Sequence, residues 1–110
     1  MITFNLKLED MPSKDKKLSN IAKVENFKSN KSGLPIANQF IITLQNGIEV
    51  FQSYNSIIAV KANNETYLDQ NRWNYSRTTS RYRNQFLNET TVETVKKIGF
   101  GNYTMVDLNK

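Results

Sequence analysis

The chain has 110 residues, a formal net charge of +5, and neither cysteine nor histidine. That length suits one domain with its own core, which an apolar share of 38% can supply. Without the two missing residue types there are no disulfides, no thiolate or imidazole metal ligands and no histidine-based acid–base or nucleophile chemistry, so the composition points to binding rather than catalysis.

At the N-terminus, Ile2, Phe4, Leu6 and Leu8 alternate with polar residues, the period of a half-buried strand. Glu9 to Asn20 is charged and broken by Pro12, and reads as a mobile basic loop. Neither a signal-peptide core nor a membrane-length apolar run is visible, which predicts a cytoplasmic protein without membrane contact. Ile21 to Phe27 is a weaker strand pattern, followed by a turn over Ser29 to Pro35.

The firmest local signal is Gln39 to Gln45, then Asn46-Gly47, then Ile48 to Ser53. Asn-Gly between two β-rich runs predicts a two-residue type I′ hairpin, because both turn residues need positive φ. Such a turn sets Leu44 opposite Glu49, Ile42 opposite Phe51 and Phe40 opposite Ser53. Phe40, Ile42, Leu44 and Phe51 would then share the core face. Ser56 to Lys61 is the next strand, Asn63 to Glu65 turn the chain, and Thr66 to Leu68 is a short partner.

After Asp69 the period changes. Ser76 to Leu87 is predicted to be a helix with Ser76 as N-cap and with Thr79, Tyr82, Arg83 and Phe86 on one face. Thr90 and Glu93 form a capping-box pattern that opens a second helix through Ile98, with Val92, Val95 and Ile98 as its apolar edge and Gly99 as its C′ residue. Asn102 to Leu108 ends the chain as a strand, at a sheet edge or beside the N-terminal strand. The fold expected is α+β: an antiparallel β-meander of about five to seven strands with two short helices on one face. We read residues 1–110 as a single domain.

All four arginines lie between Arg72 and Arg83, interleaved with Trp73, Tyr75 and Tyr82. Guanidinium forks and stacking rings hold phosphates and unstacked bases. Arg77 and Arg81 stand one helical turn apart, and Lys96 and Lys97 extend the patch if the helices pack side by side. The candidate binding residues are therefore Arg72, Trp73, Tyr75, Arg77, Arg81, Lys96 and Lys97. Against this stands a purely structural reading, in which Trp73 and Tyr82 anchor the helices and the arginines form a solvated face. Tyr54, Asn55 and Ser56 are a second candidate contact, or a turn that satisfies its own backbone. No acidic spacing matches a metal loop and no glycine-rich loop matches a nucleotide cradle, so neither metal nor cofactor is expected.

Phe51-Gln52-Ser53-Tyr54-Asn55-Ser56-Ile57-Ile58-Ala59, and Trp73-Asn74-Tyr75-Ser76-Arg77-Thr78-Thr79 followed by Tyr82 and Phe86-Leu87, resemble a family of short uncharacterised proteins of bacteriophages and mobile elements. The resemblance spans roughly residues 36 to 108 and leaves the first 35 outside it. It implies an accessory gene in a bacterial host cell and carries over no catalytic residue. Two functions follow as expectations. One is nucleic-acid binding through the patch around residues 72–83; the other is inhibition of a host protein, of the anti-nuclease or anti-CRISPR type, with Trp73 or Tyr75 as anchor. Exposed edge strands would also permit a homodimer by sheet extension.

Overall fold

A computed structural model describes residues 21–109, so the strand expected over residues 2–8 and the loop over 9–20 lie outside the described residues. Six strands run in sequence order through one sheet: β1 (Ile21–Lys28), β2 (Pro35–Leu44), β3 (Glu49–Ser53), β4 (Ser56–Ala62), β5 (Glu65–Asp69) and β6 (Tyr103–Val106). The first five pair antiparallel as hairpin neighbours, which is the expected meander. Between β5 and β6 lie two helices, α1 (Arg77–Leu87) and α2 (Thr91–Gly99). Because the chain crosses back over the sheet through them, β6 enters parallel to β5, with Tyr103 beside Thr66 and Val106 beside Asp69.

Both sheet faces are buried. Phe51, Ile58, Ala59 and Leu68 pack with Phe27 and with Phe86 of α1 on the helix side. Ile42, Leu44, Val50, Val60, Tyr67 and Val106 form the apolar cluster of the other face. The ring of Phe51 lies edge-on to Phe27 at 5.2 Å and tilted to Phe86 at 5.7 Å, so three separate elements share one aromatic contact.

The β2–β3 hairpin differs from the sequence expectation by one residue. Ile41 faces Phe51, Ile42 faces Val50 and Phe40 faces Gln52. Its loop is Gln45-Asn46-Gly47, closed by Gly47 N–H to the Leu44 carbonyl at 3.0 Å and Leu44 N–H to the Ile48 carbonyl at 2.9 Å. Gly47 is left-handed (φ +89°) and Asn46 is not, which is a three-residue turn with a terminal bulge rather than type I′. The extra loop residue moves Phe51 to the opposite face from Ile42 and Leu44, and two covered faces make that register favourable. A two-residue turn with both central residues left-handed does occur, at Asn63 (φ +49°) and Asn64 (φ +69°) between β4 and β5.

The helix caps follow the sequence closely. The Ser76 side chain accepts the Thr79 N–H at 3.1 Å, and Thr90 and Glu93 complete their reciprocal box at 3.1 and 2.8 Å. One stop signal moves: Gly99 is still helical, and Gly101 (φ +78°) is the left-handed residue that ends α2. There Asn102 N–H reaches the Lys97 carbonyl at 2.8 Å and Gly101 N–H reaches that of Ile98 at 3.1 Å.

The rotation of α2 is also not the expected one. Thr94 is buried, and Thr91 and Ile98 are partly buried on the same face. Val92 and Val95 point outward, 64% and 52% exposed. A carboxylate sets this rotation. Glu89, between the helices, accepts hydrogen bonds from Thr94 Oγ1 at 2.6 Å, Lys97 Nζ at 2.7 Å and Tyr103 OH at 2.8 Å. Turning Val92 and Val95 inward would break the two bonds that Thr94 and Lys97 bring from α2.

Burial works to raise the Glu89 pKa, but these hydrogen bonds and the Lys97 charge outweigh it and hold the carboxyl below its ordinary value. A depressed folded pKa gives stability that is present above the unfolded value and is lost as pH falls through the folded one. Lys97 is raised, first by its bond to Glu89, so its share persists through neutral pH and is lost only in strong alkali. Glu89→Gln is expected to lower stability by about 2 kcal/mol at neutral pH. It should also flatten the acid limb of a urea-denaturation series below about pH 4.

Candidate nucleic-acid interface

The loop over residues 70–76 and the first turns of α1 hold most of the candidate residues, and three anchors fix that loop. At its start, buried Asp69 accepts Leu108 N–H at 2.7 Å and Asn71 N–H at 3.1 Å through its carboxylate, while its carbonyl accepts Trp73 N–H at 3.0 Å. At its end, Ser53 Oγ and Thr79 Oγ1 meet at 2.9 Å and pin the first turn of α1 to the end of β3.

The third anchor is Arg83, which is fully buried. Its guanidinium donates to the Trp73 carbonyl (2.7 Å), Asn74 Oδ1 (2.9 Å), Asn84 Oδ1 (2.7 Å) and Thr91 Oγ1 (2.8 Å). Its carbon lies 5.0 Å from the centre of the Trp73 ring. Burial lowers the Arg83 pKa and the charge of Glu89 opposes that shift, yet an arginine remains charged under these conditions. One of the four clustered arginines is thus structural: it ties the loop, α1 and α2 together.

The other three face solvent. Arg72 stands on the loop, and Arg77 and Arg81 lie one turn apart on the exposed side of α1. None of them has a carboxylate partner among the described residues. Tyr75 is 50% exposed beside them in the chain, whereas Trp73 is half-buried against the helix-side core. Trp73 is therefore a scaffold residue first, and Tyr75 is the ring available to a ligand.

Both candidate groups meet at one end of the sheet. The Tyr54-Asn55 turn follows Ser53, which touches α1, and Ser56 opens β4 next to the point where β5 delivers the chain into the loop. Tyr54 holds a left-handed conformation (φ +56°), with its N–H bonded to the Asn38 carbonyl at 2.7 Å and its side chain outward. The two lysines do not join this patch. Lys97 is committed to Glu89, and α2 delivers both Lys96 and Lys97 to the opposite end, where Tyr103 pairs with Thr66.

Lys31 takes their place. The turn between β1 and β2 folds over α1, held by Gln85 Nε2 donating to the Lys28 carbonyl at 2.8 Å and by Phe27 packing on Tyr82 at 5.9 Å. That brings Lys31 and Arg81 to the walls of one groove. Lys31 lies fifty positions before Arg81, in a stretch with only turn signals, and no spacing in the sequence joins them.

A family model described as a family of unknown function (DUF8033) matches residues 21–102, and the chain belongs to that family. The match starts at Ile21, not at residue 36 where the sequence resemblance began, so β1 and the Lys31 turn lie inside the family unit. No curated protein and no solved structure matches the chain. Among the described residues no helix is long and apolar enough to cross a membrane, and no cluster of acidic residues could hold a metal ion.

The contrast between Arg83 and its neighbours is directly measurable. Arg83→Ala leaves several buried acceptors without donors and is expected to cost about 3 kcal/mol or more in chemical denaturation. Arg77→Ala, on the solvent face, should stay within about 0.5 kcal/mol of wild type.

Proposed function

We propose that this is a small nucleic-acid-binding protein of a bacteriophage or other mobile element, acting in the host cytoplasm and performing no bond chemistry of its own. The observation that carries the reading is the set of three solvent-facing arginines, Arg72, Arg77 and Arg81, unpaired among the described residues beside exposed Tyr75 and Tyr54. Uncompensated guanidinium groups on a chain of net charge +5 attract a polyanion and displace its counterions. Rigid anchoring of the loop by Asp69, Thr79 and Arg83 reduces the ordering cost of using it. Arg77→Ala combined with Arg81→Ala is expected to weaken DNA binding at least tenfold in fluorescence anisotropy and to lower the salt slope by about two. Wild-type protein that binds no nucleic acid even at low salt would end this reading.

One observation favours a second reading, an inhibitor that docks on a host protein. On α2, Val92 and Val95 face outward with Phe100, which is 80% exposed, and Lys96 lies alongside. An apolar strip on a helix suits a partner's groove, and Lys96 suits an acidic rim. Val95→Glu should then abolish recovery of a stoichiometric host partner while leaving nucleic-acid affinity unchanged. An equal yield from both proteins would remove α2 from consideration.

A further inference from the structure

Between the β1–β2 turn and the helix pair lies an open groove of about 740 Å3. Lys31 and Arg81 line it, as do Tyr82, Asn30, Gln85 and Asn88. Gln85 is engaged with the Lys28 carbonyl, but the side-chain amides of Asn30 and Asn88 have no partner among the described residues. Two acids also line the groove: Glu89 is held by Thr94, Lys97 and Tyr103, while exposed Glu93 accepts only the N–H of Thr90 and has no cationic partner among the described residues. The groove therefore offers two cations, two free amides and a tyrosine fixed against Phe27, set against the one unpaired carboxylate of Glu93.

We infer that this groove seats an unpaired nucleotide of a single strand, an inference that rests on the nucleic-acid reading above. Each part of a nucleotide has a counterpart. Phosphate oxygens suit the Arg81 guanidinium and Lys31 ammonium. An amide donates and accepts at once, as a base edge does, so Asn30 and Asn88 can pair with an exposed edge. The Tyr82 ring gives an unstacked base a flat neighbour. A duplex cannot use this set, because its base faces are stacked on one another and its pairing edges are already occupied. Arg77, one turn before Arg81, lies on the path of the next phosphate toward Tyr75 and Tyr54.

The test is anisotropy at low salt with a labelled mixed-sequence single strand, the same sequence as a duplex, and a free mononucleotide as competitor. Wild type should bind the single strand at least about tenfold tighter than the duplex. Asn30→Ala with Asn88→Gly should remove about tenfold of single-strand affinity while leaving duplex affinity unchanged. Glycine keeps the left-handed backbone of Asn88 (φ +57°), so the end of α1 is preserved. Equal affinity for both forms with no effect of the amide pair would overturn the groove assignment and leave the arginine surface standing. A mononucleotide that competes as well as the strand would support the groove and remove the extension along Arg77, whereas wild-type affinity for the single strand that the amide pair leaves unchanged would overturn the groove. Absence of binding to any nucleic acid would instead remove the functional reading on which it rests.

Discussion

Arg83 brings a full positive charge into the interior, and neutral oxygens hold it there: a main-chain carbonyl, two asparagine side chains and a threonine. They meet the two terminal nitrogens, while the buried Nε–H has no partner among the described residues, so a cation this costly to bury holds those oxygens where they are. They belong to three different segments, namely the loop after β5, the middle of α1 and the first turn of α2. The constraint therefore sets the loop's path and the angle between the helices. Arg72 and Tyr75 are carried on the loop so fixed, and Arg77 leaves α1 on the side away from Arg83. Their exposure follows from the burial of the fourth arginine.

Glu89 performs the complementary task with the opposite sign. It holds the rotation of α2 and links that helix to β6 through Tyr103. Lys61 adds a further tie, since its ammonium donates to the Phe86 carbonyl at the end of α1, lies over the Phe86 ring at 4.4 Å and pairs with Glu49 at 3.4 Å. Helices only nine and eleven residues long would be marginal alone. Here polar side chains orient them while Phe86, Tyr82 and Ile98 supply the apolar contact.

Much of the fold was legible because its contacts are local. β-rich runs between turn residues marked most of β1 to β5, and Ser76 and the Thr90–Glu93 box marked the helix starts, since capping depends on neighbours three residues away. The errors arose where a distant contact decided between local options. Asn46-Gly47 is compatible with either a two- or a three-residue turn, and the burial of Phe51 under Phe86 selects the longer one. Val92 and Val95 look like a core edge by spacing, but Glu89, reaching Tyr103 and Thr94, rotates them outward. The site was half legible. Clustering revealed the arginines and helical period set Arg83 on the face of Thr79 and Phe86, apart from Arg81, but the Asn74 and Thr91 oxygens that receive the buried guanidinium left no trace in the spacing. Lys31 reaches the patch only through the curl of the β1–β2 turn, which leaves no periodic trace.

The parallel entry of β6 has a kinetic consequence. Strands β1 to β5 are joined by hairpins and can zip up sequentially, each closing a short loop. The last strand must wait until α1 and α2 have crossed the sheet, because its neighbour Thr66 lies thirty-seven residues before Tyr103. Its four residues then complete the attachment of Glu89, and the Asn109 side chain clasps both backbone groups of Ile57 at 2.7 and 2.9 Å. Assembly of the sheet thus finishes with β6. A chain whose arginines are all in place still lacks the strand that locks its helices until Tyr103 to Val106 have joined the sheet beside β5.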